Sequence, residues 1–135
     1  MKFTTVFTAL LTATTSALAA VIISPTPGQV LSSSEPFNLT FASQRIAEES
    51  SNSIDVVIVS ALDVGDPGAG TLPVRNLKPT GRASDTSAIY SVLIDPIVLC
   101  CGGVAGNATV YVLEDYNAFG GLPGLDMLSV PVTFV

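Results

Sequence analysis

The chain has 135 residues, 11 acidic against 5 basic, a formal charge of −6, 48% hydrophobic residues and no histidine. Such a balance argues against nucleic acid and against anionic membrane surfaces, both of which are held by basic patches. Without histidine there is no Ser-His-Asp triad, no Cys-His pair and no ordinary zinc or copper site, so no metal, cofactor or catalytic set is expected.

Residues 1–19 read as a secretory signal. Lys2 is the only early charge, Phe3 to Leu18 is apolar or Ser/Thr, and Ala17-Leu18-Ala19 fits an A-x-A cleavage site. The greasiest part, Val6-Phe7 and Ala9-Leu10-Leu11, is shorter than the about 20 apolar residues of a membrane span. Cleavage there leaves residues 20–135 as one domain, long enough to bury about 65% of its unfolded surface.

Val21-Ile22-Ile23 is a short opening strand, and Ser24-Pro25-Thr26-Pro27-Gly28 breaks it because each proline removes a backbone donor. Val30-Leu31 resumes as an edge piece before a polar turn at residues 32–36. Phe37-Asn38-Leu39-Thr40-Phe41 alternates cleanly, which predicts Phe37, Leu39 and Phe41 in a core and Asn38 and Thr40 in water. Gln44 to Ser53 reads as a solvated connection. Ile54 to Leu62 is the most apolar run beyond the leader, too short for an ordinary amphipathic helix and rich in Val and Ile, so it predicts a central strand.

A turn region with Gly65, Asp66-Pro67-Gly68 and Gly70 follows, then a weak edge strand, Leu72 to Leu77, containing Pro73. Pro79-Thr80-Gly81 turns again, and Ala88 to Ile94 is a strand closed by Asp95-Pro96. Ile97-Val98-Leu99 leads into a loop that carries Cys100-Cys101-Gly102-Gly103.

In Asn107–Tyr116 a strand with Asn107 in water puts Thr109, Tyr111 and Leu113 on the same outer face and Ala108, Val110 and Val112 inside. Tyr111 and Leu113 then need a neighbouring loop, and Glu114 is expected at the end of the sheet. Asn117 to Gly124, with three glycines and Pro123, reads as a loop, and Leu128 to Val135 as a last strand at an edge or bulge because of Pro131. About seven short strands without a convincing helix predict an all-β sandwich or barrel.

The opening I-S-P-T-P-G-Q-V-L (Ile23 to Leu31), then F-N-L-T-F, resembles fungal secreted immunoglobulin-like domains, which open with a Pro-x-x-Gly edge turn before an aromatic-ended strand. Tyr111 to Tyr116 followed by Ser129-Val130-Pro131-Val132-Thr133-Phe134 is similar to their last two strands. The chain resembles the N-terminal domain of the cell-wall glucan-assembly family, which occurs also on Ser/Thr-rich GPI-anchored fungal surface proteins, and it is similar to small secreted proteins of mushroom-forming fungi with the same layout. Phe41 stands where members usually carry tryptophan. The resemblance implies an immunoglobulin/fibronectin-III-like sandwich and a place in or near the wall, and it brings no catalytic residues.

Asn38-Leu39-Thr40 and Asn107-Ala108-Thr109 match the N-glycosylation pattern. Cys100 and Cys101 admit a vicinal disulfide, two separate thiols or a bond between chains; adjacent Cα atoms about 3.8 Å apart force the first into a strained ring. Asp63 and Asp66 with Gly65 and Gly68 have calcium-type oxygens but no EF-hand spacing, and turn chemistry accounts for them. Glu114 and Asp115 point to opposite faces of a strand and so read as a solvated strand end rather than a cooperating pair. Tyr116 and Phe119, near Gly120, Gly121 and Pro123, form the candidate ligand-contact loop, with Phe119 alternatively folded back as a plug. Together these readings predict a secreted, non-catalytic sandwich that contacts cell-wall polysaccharide, with a secreted effector-like protein-interaction module as the alternative.

Overall fold

The computed structural model describes residues 20–46, 49–61, 70–84, 86–96 and 105–135. The leader at 1–19, the Asp63–Asp66 turn and the Cys100–Cys101 pair lie outside the described residues.

Two β-sheets face each other. Among the described residues there are nine strands: β1 Val21–Ser24, β2 Gln29–Leu31, β3 Phe37–Gln44, β4 Ser50–Ser60, β5 Thr71–Leu77, β6 Gly81–Ser84, β7 Ser87–Ile94, β8 Gly106–Ala118 and β9 Leu122–Phe134. One sheet has the order β1-β3-β7-β6 and the other β2-β9-β8-β4-β5. All pairings are antiparallel except β2 with β9, where Gln29–Leu31 run parallel to Val132–Phe134.

The predicted alternation in β3 holds: Phe37, Leu39 and Phe41 are buried and Asn38 is exposed. Their inner faces meet Ile54, Val56 and Ile58 of β4, Tyr90 and Ile94 of β7, Val110 and Val112 of β8, and Val130, Val132 and Phe134 of β9. Phe37 and Phe134 pack edge to face across the two sheets at 5.9 Å between ring centroids. In β8, Ala108, Val110 and Val112 point inward as expected. Tyr111 faces outward yet is buried, in a second apolar cluster with Val57, Val59, Leu72 and Leu113 on the back of the five-stranded sheet. Gly70 closes over that cluster; a β-carbon there would stand 2.6 Å from Val57 Cγ1.

Several expectations are corrected. The short strand β6 was not anticipated: the Pro79-Thr80-Gly81 turn opens directly into an edge strand on β7. The connection expected over Gln44–Ser53 is shorter, because β3 runs to Gln44 and β4 starts at Ser50. The loop expected over Asn117–Gly124 is mostly strand. β8 and β9 pair from Gly106↔Phe134 to Ala118↔Leu122 without a register shift, and only Phe119–Gly121 turns. Gly120 (φ 78°) and Gly121 (φ 76°) supply the left-handed backbone that this tight reversal needs.

Gly124 has a different task. It pairs with Tyr116 across the hairpin, and the Tyr116 ring lies over it so closely that a β-carbon would fall among the ring carbons. Gly124→Ala must therefore push the ring aside, and it is expected to destabilise the fold by about 1–3 kcal/mol, the usual cost of overpacking. Urea unfolding of the variant checks this, with Gly81→Ala, whose added carbon meets nothing nearer than 4.0 Å, as the control.

Candidate functional site

The feature that sets this sandwich apart is a charged cluster at one end of its core. Glu114 sits on the inner face of β8 with 0% exposure, and its cross-strand partner on the same face is Asp126 of β9. Like charges directly opposite each other on a sheet repel. Arg45, just beyond the end of β3, resolves the conflict: one terminal nitrogen donates to Glu114 Oε2 and the other to Asp126 Oδ2, the latter at 2.6 Å. Its guanidinium carbon also lies over the Tyr116 ring, 3.6 Å from the centroid, which adds a cation–π contact.

The second oxygen of Glu114 is also occupied. A carboxylate only accepts, so Ser51 Oγ donates to Glu114 Oε1; the Ser51 oxygen then accepts from the Tyr90 hydroxyl at 2.5 Å. The chain Tyr90–Ser51–Glu114–Arg45–Asp126 thus crosses between the sheets three times, with Tyr90 and Arg45 from the four-stranded side and Ser51, Glu114 and Asp126 from the five-stranded sheet. Buried tyrosine needs such a partner for its hydroxyl, and Tyr90 is wholly buried beside Phe41. Two buried side-chain polar atoms remain without a partner among the described residues, Ser43 Oγ and Arg45 Nε.

Burial pulls the Arg45 guanidinium down, but the hydrogen bonds and charges of Glu114 and Asp126 outweigh it and hold Arg45 above its ordinary value. It therefore stays charged at any physiological pH. Burial, with the Glu114 charge beside it, pushes the Tyr90 phenol up. Glu114 is wholly buried and both its oxygens are engaged, so the cluster ties one sheet to the other. Among the described residues no group of three or more acidic, cysteine or histidine side chains is placed to hold a metal ion.

The sequence-based candidates fall in different places. Glu114 is not at a solvated strand end: β8 continues four residues beyond it to Ala118, and the inward phase of Ala108, Val110 and Val112 carries it into the interior. Asp115, on the opposite face, is exposed as alternation requires. Tyr116 is half-buried, engaged by Arg45 on one side and Gly124 on the other. Phe119, in the hairpin turn, is 68% exposed. Asn38 and Asn107 are both exposed, and Asn107 Oδ1 accepts a hydrogen bond from Thr133 Oγ1 at 3.0 Å.

Arg45, Ser51, Tyr90 and Asp126 were missed as partners of Glu114. A signal was present in the inward phases of Tyr90 and Glu114, two polar groups at core positions that each demanded a partner. Arg45, isolated from the other basic residues at Arg75, Lys78 and Arg82, was the available countercharge.

No protein-family model matches this chain, and no curated protein matches it. The cluster and the hairpin it anchors therefore stand on their own geometry.

Two outcomes test the cluster. Arg45→Met leaves two facing carboxylates without their cation and is expected to cost about 3–5 kcal/mol in urea unfolding, while Arg45→Met with Glu114→Leu recovers most of it. Because the fold holds the Tyr90 proton more tightly than the unfolded chain does, stability is fully present below the ordinary phenol value of about 10 and falls as the pH rises past it. Thermal melts across the alkaline range should show that decline, and Tyr90→Phe should flatten it.

Proposed function

We propose that the protein is a secreted, non-catalytic β-sandwich of the immunoglobulin-like type that works at the fungal cell wall or in the extracellular space, contacting polysaccharide with its hairpin end. Strand order supports the fold assignment. One sheet pairs the first, third, seventh and sixth strands, and the other joins the eighth to the fourth and ninth, which corresponds to the ABED and CFG sheets of immunoglobulin domains. The Phe41, Tyr90, Val56 and Val112 packing occupies the interior that a disulfide and tryptophan fill in antibody domains.

The observation that carries the functional reading is the hairpin end. Phe119, Leu122, Leu125 and Met127 are each more than half exposed, on a β-hairpin whose base the Arg45 cluster clamps. An exposed apolar group on a rigid support is what a binding surface needs. Phe119 offers a ring to stack on a sugar. The engaged state of Glu114 supports a role without catalysis.

A second reading is a secreted protein-interaction module. Three of the four exposed side chains are aliphatic or thioether, which suits a protein partner better than a sugar ring. In addition β2 covers β9 only from Val132 to Phe134, so the edge from Leu122 to Pro131 has no neighbouring strand among the described residues.

Retention on washed insoluble glucan separates the two. The polysaccharide reading expects wild-type protein to be held and Phe119→Ala to be released; retention no better than albumin removes it. A complex recovered from culture fluid and lost on Leu125→Asp would instead support the protein-interaction module.

A further inference from the structure

On the outer face of the four-stranded sheet an exposed amide, Asn38, stands beside an exposed leucine, Leu93. Asn38 stands on β3 between β1 and β7, and its cross-strand partner is Leu93. Leu93 is 62% exposed, the most exposed large apolar residue of that sheet. Opposite residues on a sheet face have β-carbons about 4.5–5.5 Å apart. The Asn38 carboxamide has no hydrogen-bond partner among the described residues, while its backbone carbonyl accepts from Ser24 Oγ at 3.0 Å. The backbone is held and the side chain is free. None of the outward residues of β3 and β7 is charged; Thr40 faces Ser91 and Ala42 faces Ile89 beside the Asn38–Leu93 pair.

From this juxtaposition we infer that Asn38 carries an N-linked glycan whose first N-acetylglucosamine lies on Leu93, so that this sheet face is covered by the protein's own sugar. The inference rests on the secreted reading proposed above. The donor is a lipid pyrophosphate-linked oligosaccharide. The bond between Asn38 Nδ2 and sugar C1 forms, the bond from C1 to the phosphate oxygen breaks, the lipid pyrophosphate leaves, and the amide gives up one proton. Transfer takes place on the unfolded chain, so the folded face has to accommodate the product, and an uncharged face with an apolar neighbour does so. The acetamido methyl and the C–H face of the ring supply the apolar surface that Leu93 otherwise lacks.

Asn107 differs on each count. Its carboxamide oxygen is bound by Thr133, and its cross-strand partner in β9 is that same polar residue. A sugar there has no exposed leucine opposite it and is expected to extend into solvent.

The test uses the full mature chain secreted from a eukaryotic host behind a heterologous leader, with Asn107→Gln to leave one acceptor. Intact mass should show one glycan, lost in Asn38→Gln. After trimming to a single N-acetylglucosamine, nuclear Overhauser contacts are expected between its acetamido methyl and the Leu93 methyls. Asn38→Gln should raise binding of an apolar dye several-fold, and Leu93→Ser added to it should abolish that rise. Absence of a glycan in the secreted Asn107→Gln protein overturns the inference. So does a glycan without Leu93 contacts or dye change, although the secreted-glycoprotein reading then survives. A parallel culture using residues 1–19 as leader tests that reading separately: failure of export removes it and leaves the sugar–leucine contact standing on its own data.

Discussion

A carboxylate in the dry space between two sheets is the constraint on which one end of this structure depends. Glu114 cannot be left there alone, since an unpaired buried charge costs several kcal/mol. Everything within reach answers it: Arg45 from the end of β3, Ser51 from β4, and Tyr90 from β7 through that serine. A buried ion pair is not a strong source of stability compared with apolar packing. What it does supply here is register. Sliding β8 by one residue would turn Glu114 to water and bring Asp115 into the core, where no cation waits for it.

The same cluster explains how a long hairpin is held at the edge of the five-stranded sheet. β8 and β9 each run 13 residues and end in a turn that carries an exposed phenylalanine. Arg45 grips both strands through Glu114 and Asp126, and Tyr116 stacks between the guanidinium and Gly124. The hairpin is thus clamped a few residues below its tip, so Phe119 and Leu122 are presented by a fixed base. At the other end of the core, apolar rings serve in place of charges, with Phe37 against Phe134. The interior is therefore asymmetric, polar beneath the exposed hairpin and aromatic at the opposite end.

Much of this was legible in the residues. The alternation of Phe37 to Phe41 and of Ala108 to Val112 is strong enough that local pattern and tertiary burial agree. The run from Ile54 was recognisable as central from its apolarity, its short length and its Val and Ile content, and the structure adds that it is covered on both faces, since Val57 and Val59 meet Tyr111 in the second cluster behind the sheet. The tip was misread for a definite reason. Gly120, Gly121, Pro123 and Gly124 together look like a loop, but only the first two glycines turn the chain. Pro123 lies on the stretch of β9 that no second strand covers, where a missing N–H breaks no ladder, and Gly124 makes room for a ring.

Period and composition determined by themselves which residues face inward, because a strand's side chains alternate whatever surrounds them. They established an all-β chain with its hydrophobic faces in place, and Glu114 already stood in the inward phase. What only the tertiary structure decided is how that inward charge is tolerated. The partners are 69 residues apart for Arg45 and Glu114 and 81 for Arg45 and Asp126, so no local pattern links them. Their meeting depends on the order in which strands pair, and that order is set by the packing of the whole sandwich rather than by any one segment.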